Sequence, residues 1–354
     1  MTVGTHNTDT VFLSPGGHFA VEKGYDPTVR VPAEVVKCVG FVGEAIRNPE
    51  GEVFGDVDAT GFFVNVRSKH FPHLRYPYFV TAKHVAEDLR DRTPYILVNS
   101  KSGGKPIYLK HWRPYWFFHP TDDKADVAIL QIAEQPDTDF LGVLTKDFVT
   151  GDDIVSREWV DVGDEVFVTG LFTRAPGQNR NMPIVRHGNL AMIPEEQIQT
   201  EIGFTDVYLI EGRSIGGLSG SPVFVRRTEI MKVQLADKRI TEIWVPGPFK
   251  LLGLMQGHWD IKESEMNKAA IHHVQKHGVN LGIAIVTPAT KILDILMQPQ
   301  MEKIRELSDE DLGRKLGGVP GSDSAKKRKN ETPFTQADFE AALEKATRKV
   351  SDRK

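Results

Sequence analysis

ATGFFVNVRSKHFPHLRYPYFVTAKHVAEDL (59–89) holds two runs that decide the fold class. ATGFFVNV (59–66) and YPYFVTA (76–82) are short and rich in aromatic and β-branched residues, and the segment between them is polar. Neither run has the 3.6-residue period of an amphipathic helix, so both read as strands joined by a turn. Lys83 and His84 then open a short helical turn.

The texture repeats outward from this stretch. VVKCVGFVG (35–43) precedes it, with NPEGE (48–52) as a turn, and PYILVNS (94–100), KPIYLK (105–110) and DVAILQI (126–132) follow. A second series comprises VGDEVFVTGLF (162–172), MPIVRHGNLAMI (182–193), DVYLIEG (206–212), SPVFVRR (221–227), KLLGLMQGHW (250–259) and NLGIAIVT (280–287). Strands at this spacing, with no long helices between them, predict an all-β barrel or sandwich, and two β units of similar strand count fit a duplicated architecture. The expected units are an arm (1–34), a first β unit (35–150) and a second β unit with a closing helix (151–300). A flexible linker (301–333) and a C-terminal amphipathic helix (334–354) complete the chain. In that last helix Phe339, Leu343, Ala346 and Val350 share one face, after a Thr335–Asp338 start signal.

Composition bounds the function. The 354 residues carry a net charge of −4, which is poor footing for nucleic-acid binding. No apolar run approaches 18 residues, so no membrane-spanning helix is expected. The single cysteine, Cys38, excludes an intrachain disulfide and favours a reducing, cytoplasmic setting. It lies in an apolar run and reads as a small core residue. His70 with His73 and His273 with His277 lack the carboxylate or cysteine partners of a metal site, so no metal is expected. GGKP (103–106) lacks the frame of a phosphate loop, and KKRK (326–329) reads as a solvated run. No cofactor is expected.

Nucleophilic acyl transfer needs a nucleophile, a base and a group that orients the base. IGGLSGSPVF (215–224) offers Ser219 in a glycine-rich turn, where the amides of Gly217 and Ser219 can surround a developing oxyanion. His84 is the candidate base. Asp126, at the head of an apolar strand, is the candidate orienting acid, with Asp122 and Asp123 as alternatives.

TAKH (81–84), ADVAIL (125–130) and GGLSGSPV (216–223) resemble the histidine, aspartate and serine segments of trypsin-like serine peptidases, in the family's order. The intervals of 42 and 93 residues suit a histidine and aspartate in one barrel and a serine in the other. An α/β-hydrolase would run Ser, acid, His, and its G-x-S-x-G elbow is absent. The resemblance spans about residues 35–300 and is to the disulfide-free bacterial type. It implies two six-stranded barrels and a serine endopeptidase acting on protein or peptide. Ser219 would be the nucleophile, His84 the base and Asp126 its orienting partner, with the Gly217 and Ser219 amides as oxyanion hole. Two departures are Lys83, where a small residue is usual, and Ser221 in place of a glycine. By position, Arg213 and His258 would line the specificity pocket and favour an acidic side chain; Arg213 could instead face solvent or pair with Glu211. The tail is the expected place for a regulatory protein partner, since a protease in its own cytoplasm would need restraint, which raises latency until a partner or signal activates it. The alternative is a peptidase fold kept as a binding scaffold.

Overall fold

The computed structural model describes residues 2–4, 10–13, 19–21, 31–49, 53–103, 107–109, 115–133, 136–157, 159–212, 217–234, 240–261 and 279–316. Strands β1 (Thr2–Gly4), β2 (Thr10–Leu13) and β3 (Phe19–Val21) form a small antiparallel sheet. A single helical turn, α1 (Ala33–Lys37), leads into β4 (Val39–Arg47). Val35–Lys37, expected as strand, are therefore helical; Pro32 sits where its fixed φ and missing N–H suit a helix start.

The N-terminal unit continues with β5 (Val53–Arg67), β6 (Arg75–Thr81), the short helix α2 (Lys83–Asp88), β7 (Pro94–Val98), β8 (Ile107–Leu109), β9 (Trp116–Phe118), β10 (Ala128–Gln131) and β11 (Val143–Leu144). Its strand order is β8-β7-β4-β5-β6-β10-β9, with β11 added in parallel to β5. The closed six-stranded ring expected here is not present among the described residues. The path ends at β8 and β9, each three residues long and too short for an extended closing ladder.

The second unit does close. After α3 (Gly151–Ser156), capped by a reciprocal Thr150–Asp153 box, come β12 (Glu165–Gly170) and β13 (Ile184–Met192). The hairpin β14 (Ile198–Thr200)–β15 (Gly203–Thr205) and β16 (Tyr208–Glu211) follow. Two long strands, β17 (Pro222–Gln234) and β18 (Ile240–Ile261), then lead to β19 (Val279–Pro288). The order β12-β13-β16-β19-β18-β17 is a closed antiparallel barrel. Alternation fills it: Val166, Val168, Leu190, Ile210, Val223, Val225, Leu252, Ala284 and Val286 point inward and are buried. Phe224, Leu251 and Leu254 instead join the core of the N-terminal unit, so one apolar layer runs between the units.

Two helices finish the described chain, α4 (Ala289–Leu296) and α5 (Pro299–Leu316). The closing helix was legible, with Ile292, Ile295 and Leu296 buried at helical spacing. Residues 301–316 are helical and not the flexible linker that their acidic sequence suggested. Their polar residues are the anchors: Asp309 accepts from Ser68 Oγ at 2.8 Å and Tyr76 OH at 2.5 Å. Arg305 donates to Tyr78 OH at 3.1 Å and to the Leu296 carbonyl at 2.8 Å. Buried charges so satisfied cost far less than unpaired ones, which lets a polar helix dock. The remaining linker and the helix expected at 334–354 lie outside the described residues.

Candidate active site

Strand register brings the first two candidate residues together. In the β6–β10 ladder Ala128 faces Thr81, so the residues just before β10 lie against those just after β6. His84 Nδ1 lies 2.9 Å from Asp126 Oδ2 and 3.1 Å from Oδ1, and the His84 backbone N–H donates to Oδ1 at 3.0 Å. Asp126 is buried whereas the His84 side chain is 46% exposed. The carboxylate therefore fixes Nδ1 as the protonated nitrogen, leaving Nε2 as the outward acceptor. Burial works against the imidazolium, but the hydrogen bond and charge of Asp126, with Asp88 and Glu87 nearby, outweigh it and hold the His84 pKa above its ordinary value.

Neither of the other acids of this loop reaches the imidazole. Asp122 accepts from Lys291 Nζ at 2.8 Å, and Lys83 Nζ donates to the Asp123 carbonyl. The unusual lysine before the histidine thus ties α2 to the aspartate loop, and of the three acids Asp126 is the one that meets His84.

Ser219 sits in the turn between β16 and β17, three residues before the barrel resumes at Pro222. Gly217 has φ +95°, and a Cβ there would lie 2.9 Å from Thr173 Cγ2, so a side chain is excluded on both counts. Gly220 has φ +79°, and its missing Cβ would fall 2.2 Å from the Thr60 carbonyl and 3.0 Å from the Ala82 nitrogen. That close approach sets the serine turn against the chain two residues ahead of His84. Gly220 N–H donates to the Met255 carbonyl and Ser221 N–H to that of Leu218, while Leu218 is buried in the barrel core. Among the described residues, the N–H groups of Gly217 and Ser219 have no acceptor. Ser219 Oγ makes no hydrogen bond to the His84 ring.

Two residues that the sequence did not single out hold this arrangement. Thr60 Oγ1 donates to the Gly217 carbonyl at 2.6 Å and accepts from Leu171 N–H at 2.9 Å, and Thr60 N–H donates to the Ser219 carbonyl at 3.0 Å. Thr81 Oγ1 donates to the Thr60 carbonyl at 2.7 Å. The available signal was a polar residue inside an otherwise apolar strand.

The remaining site expectations are not brought into this cluster. Arg213 lies outside the described residues. His258 is placed only by register, opposite Ala284 in β18–β19. His70 and His73 are exposed, and no cluster of three metal-ligating side chains occurs among the described residues. Cys38 is fully buried, its thiol pushed well above the ordinary range by burial, so it is no nucleophile.

A closed antiparallel barrel beside a second antiparallel sheet, with His84, Asp126 and Ser219 in that order at their junction, defines a trypsin-like peptidase fold. No family model matches the chain, and no curated protein matches it. Among solved structures it is similar to the MamO protease domain from Magnetospirillum magneticum in its apo form. That match is 17% identical, covers 60% of this chain and 94% of the other, and has a TM-score of 0.38. It is also similar to Deg5, at 14% identity, covering 73% of this chain and 87% of the other, with a TM-score of 0.40. Neither likeness bears on what this chain cleaves or binds. Among the described residues no helix is long and apolar enough to cross a membrane.

Proposed function

We propose that the chain is a serine endopeptidase. Ser219 attacks the scissile carbonyl, His84 Nε2 takes its proton and returns it to the leaving amine, and Asp126 holds the imidazole and stabilises its cation. The N–H groups of Gly217 and Ser219 receive the oxyanion. Water then hydrolyses the acyl-enzyme by the same relay. No metal or cofactor enters this scheme. The observation that carries the reading is the His84–Asp126 pair, in which a buried carboxylate occupies one imidazole nitrogen and leaves the other facing out. A lone buried thiol in a chain that forms no disulfide supports a reducing compartment such as the cytoplasm.

A second reading, latency, is favoured by one observation: Ser219 Oγ is not bonded to His84. Hydrogen bonds of this kind commonly tighten only with substrate in place. A protein partner acting through the tail beyond residue 316 is where such control would enter. Preference for an acidic side chain beside the scissile bond, through Arg213 and His258, belongs to the same proposal.

A fluorophosphonate probe tests the reading. The folded chain is expected to gain one adduct, mapped to Ser219, and Ser219→Ala is expected to keep its fold and gain none. A folded protein that never labels, with or without candidate partners and peptides, removes the peptidase reading.

A further inference from the structure

Thr60 is fully buried, and its hydroxyl and backbone are all engaged at one place. Its Oγ1 holds the Gly217 carbonyl and its N–H holds the Ser219 carbonyl, so the two peptide oxygens on either side of Leu218 are pinned to one residue. Its own carbonyl accepts from Thr81 Oγ1, three residues before His84. Its Oγ1 also accepts from Leu171 N–H, just past the end of β12. Thr60 belongs to β5 of the N-terminal unit, yet most of these contacts reach the barrel. Both serine-turn glycines described here also pack near it or its partners: the missing Cβ of Gly220 falls on the Thr60 carbonyl, and that of Gly217 lies 3.1 Å from the Leu171 carbonyl.

A glycine-rich turn is intrinsically free, since each glycine reaches many backbone conformations. Something must select the one conformation that presents Ser219. An acyl-transfer site also needs its nucleophile and base at a fixed separation, although here they come from different units. Thr60 hydrogen-bonds to both arms directly.

We propose that Thr60 is a positioning residue that sets the placement of Ser219 relative to His84 across the two units. This rests on the peptidase reading above. The γ-hydroxyl does the work: it is a donor to one peptide and an acceptor from another, so a residue of equal size without a hydroxyl fails at both. Serine supplies the same hydroxyl and should suffice.

The test compares Thr60→Val, Thr60→Ser and, as a control outside the site, Ser68→Ala, which loses hydrogen bonds to Asp309 instead. Each is read by kcat and KM on a peptide substrate, by the rate of fluorophosphonate labelling, and by deuterium exchange at Gly220 and Ser221. Thr60→Val is expected to lower kcat and the labelling rate by about 10²-fold with little change in KM, the size of penalty that misplacement of about an ångström carries. It should also speed exchange at Gly220 and Ser221 while Phe79 and Leu130 stay protected. Thr60→Ser should restore all three within about threefold of the unaltered chain. A labelling rate and exchange in Thr60→Val equal to those of the unaltered chain would overturn the proposal. So would an equal loss of kcat in Ser68→Ala, or no rescue by serine. If Thr60→Val does not fold, Thr60→Cys is read by the same criteria. If the unaltered chain never labels, the peptidase reading falls, and exchange alone decides whether Thr60 anchors the serine turn.

Discussion

Among the described residues there are two His–Asp pairs, and they are built in opposite ways. In one, an exposed histidine leans on a buried acid: the His84 side chain is 46% exposed and that of Asp126 is 6%. In the other, a buried histidine meets an exposed acid: the His119 side chain is 5% exposed and that of Asp294, on α4, is 56%. The nitrogens differ too. His84 uses Nδ1 for its acid and leaves Nε2 outward. His119 uses Nε2 for Asp294 at 3.1 Å, while its Nδ1 accepts from the Asp122 N–H at 2.9 Å. One ring has an open nitrogen and can exchange a proton with a reactant. The other has both nitrogens occupied and acts as a brace between α4 and the loop that leads to Asp126. The same two residue types therefore leave an imidazole nitrogen open or close both, according to which partner is buried.

The contrast breaks most visibly at the acids. Asp126→Asn should lower kcat by about 10⁴-fold with the fold intact, because an amide can hold the wrong tautomer and cannot stabilise the imidazolium. Steady-state hydrolysis of a peptide, with circular dichroism as the check on folding, measures it. A loss below about tenfold would mean that Asp126 does not serve His84 in turnover.

The pH profile sharpens the same comparison. Only neutral His84 can act as the base, and its pKa is held above the ordinary imidazole value of about 6.5. The acid limb of kcat/KM should therefore have its midpoint above that value and move down in Asp126→Asn. Stability carries the matching sign. A raised histidine pKa contributes stability that is fully present below about pH 6.5 and is lost as pH rises through the folded-state value. Unfolding of the Asp126→Asn chain should lose that dependence. A limb unchanged by the substitution would detach His84 from Asp126.

How much of this was legible depended on what each residue needs from its neighbours. His84, Asp126 and Ser219 stand out as candidates because each sits in a local pattern, a strand end, a strand head and a glycine turn, and the structure brings the first two within hydrogen-bond reach. The strands of the closed barrel could be read from short β-branched runs such as those holding Val166, Val168, Val223 and Val225. Thr60 could not, since its partners at Gly217, Ser219 and Leu171 are more than a hundred residues away and leave no local mark. The docking of α5 was missed for the same reason. SDEDLGRK (308–315) looks solvated, yet Asp309 and Arg305 are satisfied by Tyr76, Tyr78 and Ser68 from another part of the chain. His119 shows the limit from the other side. Nothing in HPTDD (119–123) separates a brace from a base, because the distinction lies in burial and in Asp294, 175 residues on.

The smallest effects test the brace. His119→Ala leaves the Asp122 N–H without its acceptor and opens a space under α4, and should destabilise the chain by about 2 kcal/mol. Chemical unfolding would measure it, and kcat should stay within about threefold because the Asp126 carboxylate is held by His84 itself. Asp294→Asn should cost still less, under about 1 kcal/mol, since its carboxylate is largely solvated and an amide oxygen can still accept from Nε2. The informative outcome is a split between the two readouts. A histidine that braces moves stability and spares turnover, whereas His84→Ala should do the reverse. A tenfold loss of kcat in Asp294→Asn without loss of stability would make α4 part of the catalytic apparatus and erase the distinction between the two pairs.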